Sequence, residues 1–252
     1  DGKVGFTGGL NIADRYIVGL PEIGEWRDTH VCLRGGAAAG LQRVFLADWY
    51  FVRKEVLPAK EYVIPIKKGK GSVVQIVPSA PDMDWESIEQ AYFLAIATAQ
   101  RQVLLVTPYF MPTGDILNAI KVAALSGIDV RILIPEKSDA IIPKWCTESY
   151  VEELLEAGVR VFQYQKGFSH SKLVLVDGVM SSVGSANLDF RSLETNFEVN
   201  AFIYDREITR QLVDQFMEDL SQSCEISLEI WRQRSWMRRV KASYARLLSP
   251  LM

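Results

Sequence analysis

The chain has 252 residues, 48% of them hydrophobic and 23% charged, with 28 Lys and Arg against 31 Asp and Glu for a formal net charge of -3. That composition excludes a disordered, collagen-like or disulfide-scaffold protein and allows one large domain or two smaller ones, each with its own core. The mild acidity argues against a dedicated nucleic-acid binder, which carries a basic excess.

Taken in chain order, the first informative elements are Val103 to Val106, a buried strand, and Ile116 to Ala124, a helix. A second strand over Val130 to Ile134, a helix over Tyr150 to Ala157 and a third strand over Val159 to Tyr164 follow. Strands separated by helical patterns of this length predict α/β architecture with a largely parallel sheet. After Ser169 the strands come closer together, at Lys172 to Val176, Met180 to Val183 and Phe197 to Tyr204, before a helix from Arg206 to about Ser221. The basic, glycine-containing stretch Ile66 to Ser72 reads as a boundary and a solvated loop; it lacks the spacing of a phosphate-binding P-loop.

Three dispersed cysteines (Cys32, Cys146, Cys224) and two histidines (His30, His170) form no metal-binding cluster, and a reducing compartment fits them better than a disulfide framework. No run of about 18 apolar residues is present, the longest candidate at Val103 to Gly114 being broken by Pro108 and Pro112. The opening Asp1-Gly2-Lys3 reads as the interior of a longer protein rather than a signal peptide.

An internal repeat organises the chain. Residues 1–11 align without gaps on residues 177–187, with identities at Asp1/Asp177, Gly2/Gly178, Gly8/Gly184 and Asn11/Asn187, and beyond them at Arg15/Arg191. The second copy is preceded by His170-Ser171-Lys172, giving H-x-K-x4-D through Asp177. On an extended strand His170 and Lys172 share a face. An imidazole beside an ammonium suits a phosphoryl group: the lysine offsets charge on the phosphate oxygens, and the neutral histidine attacks phosphorus or shuttles a proton.

The motif resembles the signature of the phospholipase D superfamily, H-x-K-x4-D-x6-G-S-x-N, matched by His170, Lys172, Asp177, Gly184, Ser185 and Asn187. Asp1, Gly8, Gly9 and Asn11 match the tail of a first copy, with Gly9 in place of the usual Ser. Within the superfamily the chain is most similar to the bacterial cardiolipin synthases. The strings that carry this include Gly5 to Ala13, Trp26 to His30, Thr107 to Phe110, Gly184 to Ser192, Asn196 to Glu198 and Ala245 to Leu251.

The resemblance implies a phospholipase D-like α/β fold, a mixed sheet flanked by helices, in two pseudo-twofold halves of which the first is truncated. It assigns 1–72 to the tail of the first half and 73–252 to the second half with its basic C-terminal helix. It also implies phosphatidyl transfer between two phosphatidylglycerol molecules through a phosphohistidine, with release of glycerol and without metal or other cofactor. The N-terminal histidine of such pairs is commonly the nucleophile, which would make His170 the general acid and base; one sequence leaves that order open. The first His and Lys fall before Asp1, so the chain reads as a piece of a longer enzyme. Its expected place is the cytoplasmic face of the bacterial inner membrane, with spans upstream, phosphatidylglycerol and anionic membrane lipid as partners, no nucleic acid, and a homodimer as one way to gather two His170 sites. The alternatives are a hydrolytic phospholipase D, a phosphodiesterase or nuclease, and a catalytically dead membrane-bound interaction domain.

The catalytic set read in this way is His170, Lys172, Asp177, Asp1 and Glu198. Glu198 enters as the acceptor that orients His170, against the alternative of a surface strand residue, and Asp28 as the acceptor for the first histidine. Gly9, Asn11, Gly184, Ser185 and Asn187 are the substrate-binding set, against ordinary turn chemistry. Thr107 to Pro112 reads as a loop at the pocket mouth or as a rigid apolar turn, and His30, with no Lys two residues later, as structural. From Trp231 onward six basic residues and no acidic ones are interleaved with Trp236 and Met237, as in a helix lying on anionic headgroups or one packing its tryptophans on the domain.

Overall fold

The computed structural model describes residues 2–58, 62 and 71–251. Asp1 and residues 66–70 of the expected boundary lie outside them. The chain begins with β1 (Val4–Gly8), α1 (Arg15–Val18), β2 (Glu25–Arg27), β3 (His30–Arg34) and α2 (Gly36–Arg53). It continues with β4 (Val73–Ser79), α3 (Ser87–Ala97), β5 (Gln102–Val106), β6 (Phe110–Met111), α4 (Gly114–Leu125), β7 (Asp129–Pro135), α5 (Ile141–Glu156), β8 (Arg160–Tyr164) and β9 (Gly167–Ser169). The last part holds β10 (Leu173–Val176), β11 (Met180–Gly184), β12 (Leu188–Asp189), β13 (Glu198–Tyr204), α6 (Arg206–Ser221), β14 (Ser223–Glu225), α7 (Leu228–Arg232) and α8 (Trp236–Arg246).

Eight strands form one mixed sheet in the order β14-β8-β7-β5-β10-β11-β13-β4. Only β5–β7 and β7–β8 pair in parallel; the other neighbours are antiparallel. The expectation of a largely parallel sheet is therefore corrected. The helices α4 and α5 provide crossovers for the parallel pairs, whereas the short turn 177–179 between β10 and β11 permits only antiparallel pairing, and β13 returns antiparallel to β11 after a longer connection through β12.

The central strands are apolar throughout because both faces are covered. Val103 and Leu105 of β5 and Val174 and Val176 of β10 pack under α3, α4 and α5, with Tyr92, Ile120 and Leu154. Their alternate neighbours Leu104, Val106, Leu173 and Leu175 pack on the other face with Phe216 of α6. At the start of α6, Asp205 accepts from the backbone N–H groups of Glu207 and Ile208, satisfying donors that the helix leaves free. The helix expected from Tyr150 begins nine residues earlier, at Ile141. Pro143 misleads the eye there, since proline in a first turn removes only an N–H that has no partner in the helix.

β1 and β3 pair separately and pack against β11 and β13. The registers make the repeat three-dimensional. Gly8 pairs with His30 in the first copy, and its counterpart Gly184 pairs with Asn200 in the second. β3 therefore corresponds to β13, and Asp28, two residues before His30, corresponds to Glu198, two before Asn200.

Candidate active site

β10 runs antiparallel to β5, with Leu173 opposite Val106 and Val176 opposite Val103. The residues just before Leu173 thus lie at the C-terminal edge of the parallel strands, where α/β sheets place their ligands. Gly184 and Glu198 return to the same edge through the β10–β11 and β11–β13 pairings.

His170 is held there by its own backbone, whose N–H donates to the Arg27 carbonyl at 2.7 Å next to the parallel pair β2–β9. Its ring nitrogen Nδ1 lies 2.9 Å from Asp28 Oδ2. A carboxylate in that position accepts the Nδ1–H and leaves Nε2 as the nitrogen with a free lone pair. Asp28 is fixed in turn: the Thr29 N–H donates to its Oδ1 at 2.7 Å. Thr29 Oγ1 meets Ser171 Oγ at 3.1 Å, binding the two segments side by side. Arg27 makes a two-pronged ion pair with Asp219 of α6, which anchors the loop that carries Asp28.

Lys172 Nζ donates to the His170 carbonyl at 2.7 Å and lies 3.1 Å from each ring nitrogen. Equal distances put the ammonium against the ring and out of line with either lone pair, so the histidine keeps Nε2 for a ligand. His170 and Lys172 share one side as expected, although both stand just outside β10. Burial lowers the Lys172 ammonium to about 8, against the raising pull of Asp28, Glu198 and Asp189. Burial also raises the Asp189 carboxyl, which accepts from the Ser192 N–H and the Asn187 amide.

The structure corrects the partner assignment. The acceptor at His170 is Asp28, from the other copy of the repeat, and not Glu198. The Glu198 carboxylate accepts from Asn196 Nδ2 at 3.2 Å and lines a cleft of about 470 Å³ with Ser185, Phe51, Met83 and Phe197. Asp177 lies beyond the apolar strand, at the turn its place in the sequence implies. It sits at the opposite end of β10, where its carboxylate accepts the backbone N–H groups of Gln100, Arg101 and Gln102 at 2.8–2.9 Å. Asp177 ties β10 to the start of β5 and touches neither His170 nor Lys172.

Among the other expected residues, Ser185 Oγ accepts the Val199 N–H at 3.0 Å, and Gly184 is required because a Cβ there would fall 2.1 Å from Asn200 Oδ1. Gly9 explains its own departure from the motif: a Cβ would meet the Asp28 carboxylate at 2.6 Å and the His170 carbonyl at 2.9 Å. Asn11 donates to the Tyr16 hydroxyl at 2.7 Å on the exposed side of the site. The segment Thr107 to Pro112 is a buried turn rather than an open mouth, with Thr107 Oγ1 bonded to the Tyr109 carbonyl and Phe110–Met111 paired with β12. His30 is exposed at the start of β3.

An aromatic enclosure went unread in the sequence. Tyr16, Trp26 and Phe168 stand with ring centres 5.6, 6.2 and 5.7 Å from the His170 ring, and Tyr109 adjoins Phe168. Burial and Asp139, which accepts from the Tyr109 hydroxyl at 2.6 Å, raise that phenol. Only the strict pairing of β2 with β9, which juxtaposes Trp26 and Phe168, reveals the group. Among the described residues, no cluster of three or more His, Cys, Asp or Glu is arranged to hold a metal.

A family model described as "Cardiolipin synthase, PLD-like domain" matches residues 92–220. The chain belongs to that family. It is 48% identical over 255 residues to the cardiolipin synthase of Geobacillus thermodenitrificans (strain NG80-2), an alignment that covers 100% of this chain and 51% of that protein. Cardiolipin synthase 2 of Bacillus anthracis is likewise 48% identical, with 100% and 49% covered. The chain spans about half the length of the curated relatives it matches. Among solved structures, the phosphatidylserine synthase of Haemophilus influenzae Rd KW20 superposes with a TM-score of 0.73 at 14% identity, over 99% of this chain and 68% of that one. Nuc from Salmonella typhimurium, a phospholipase D family member, gives 0.54 at 21% identity over 62% and 99%. These likenesses show the fold, which is that of phospholipase D.

Proposed function

We propose that this chain carries one half of the catalytic site of a cardiolipin synthase, which transfers a phosphatidyl group between two phosphatidylglycerol molecules. The observation that carries the reading is the buried His170–Lys172 pair with Asp28 on Nδ1. It offers one imidazole nitrogen and one ammonium to a phosphodiester, at a site enclosed by aromatic rings. Glu198, the counterpart of Asp28, orients the histidine of a second H-x-K pair, supplied by a segment before Asp1 or by a second copy of the chain. On this reading residues up to about 72 belong with that first motif.

The reaction runs in two displacements. One histidine attacks phosphorus, the bond to the glycerol oxygen breaks, and the other histidine gives the departing glycerol its proton. That second histidine then takes the proton from the hydroxyl of another phosphatidylglycerol, whose oxygen displaces the first histidine and completes cardiolipin. Lys172 neutralises the phosphoryl oxygens in both steps, and the cleft beside Glu198 and Ser185, lined by Phe51, Met83 and Phe197 together with Asp48, Lys54 and Asp82, offers apolar surface to an acyl chain.

The test is to give the protein carrying both motifs phosphatidylglycerol labelled in its phosphatidyl part and to separate the products. Labelled cardiolipin with released glycerol is the expected result. Phosphatidic acid as the main product would replace the transferase by a hydrolytic phospholipase D.

A further inference from the structure

The C-terminal helix α8 presents two faces. Ala242 and Ala245 are buried against α5, and the carbonyl of Ala245 accepts from Cys146. The other face is apolar and uncovered among the described residues: Trp236, Tyr244 and Leu247 are 72%, 69% and 73% exposed, joined by Met237, Val240 and Leu248. At about 100° per residue these six side chains fall within an arc of about 120°. Lys241 lies about 20° beyond one edge of that arc and Arg239 about 60° beyond the other.

The six basic residues of the tail divide accordingly. Arg232 pairs with Glu152 and Glu156, Arg238 with Glu148 and Arg246 with Glu153, all on α5. Arg234 stacks on Trp231 with its guanidinium 3.5 Å from the ring centre, near Glu148. Those four fasten the tail to the domain. Arg239 and Lys241 have no acidic partner among the described residues; Lys241 stands over the Trp145 ring.

We infer that the Trp236–Leu247 face of α8 is a docking surface for an anionic lipid bilayer. A tryptophan, a tyrosine and long aliphatic chains on one stripe, flanked on each side by a cation that has no acidic partner among the described residues, match the interface of acyl chains and negative headgroups. An acidic protein surface would engage the two cations but leave the stripe wet, and an apolar protein surface would strand the cations. The stripe enters the acyl boundary, the cations meet the phosphates, and the paired arginines stay out of the contact. This differs from a helix lying on headgroups by its basic residues, since most of those are spent inside the molecule. The inference is independent of the reaction assigned above.

The test is co-sedimentation of the 252-residue chain with vesicles of phosphatidylcholine alone or mixed with phosphatidylglycerol. Binding to the mixed vesicles should fall at least tenfold in the double variant Trp236→Ser/Leu247→Ser, whose replaced side chains are largely exposed and whose folding circular dichroism checks. Arg239→Gln with Lys241→Gln should cost about 30-fold on the anionic vesicles alone. Undiminished binding by the stripe variant would overturn the inference. So would lipid-free self-association abolished by the stripe variant, which would make a second copy the occupant.

Discussion

Lys172 shows how far burial alone can tune a residue toward phosphate chemistry. Its ammonium has lost most of its water, and the surrounding carboxylates recover only part of that loss, so its value falls from 10.5 to about 8. Between those two values the unfolded chain holds a proton that the folded chain has shed, so raising the pH there favours the folded state. Urea unfolding of the parent and of Lys172→Met should therefore diverge with pH. From about pH 8 to 10.5 the parent should gain on the variant by about 3 kcal/mol; parallel profiles would mean that the lysine keeps its ordinary value. The sequence made His170 and Lys172 legible because their spacing is also their chemistry. It gave no comparable sign of Tyr16, Trp26 and Phe168, which meet only after β2 and β9 have paired.

At the level of elements, the strands buried on both faces and the helices with one continuous buried face were readable from their apolar patterns, as with β5 and α4. Among the elements that eluded reading, α2 has few buried side chains and the first turns of α5 hold Pro143 inside the helix; α3 went unread although Ile88, Tyr92 and Ile96 are buried at helical spacing. Asp177 belongs to this scale. The motif counts it with the catalytic pair, but three backbone N–H groups converge on it at the end of β10 farthest from His170. Asp177→Ala should lower stability by about 2 kcal/mol, seen as a lower urea midpoint. The rate per folded molecule should stay that of the parent. A collapse of turnover at full stability would return Asp177 to the chemistry.

In the whole molecule one copy of the repeat supplies the acceptor for the histidine of the other. β1 and β3 pack on β11 and β13, and the acceptor in one copy reaches the histidine of the other across that contact. Sequence reading matched each acidic residue to the motif it follows, so it assigned Glu198 to His170. The strand registers reverse the match, because Asp28 and Glu198 are equivalent positions and only Asp28 touches His170. The contact between the two copies therefore places Asp28 against His170.

The pairing can be read directly, since the chain has two histidines. With nitrogen-15 histidine, the imidazole spectrum reports which ring nitrogen of His170 carries the proton. The account predicts a proton fixed on Nδ1 in the parent and in Glu198→Ala, and lost to a mixture of tautomers in Asp28→Ala. A spectrum that is unchanged by Asp28→Ala and altered by Glu198→Ala would contradict it.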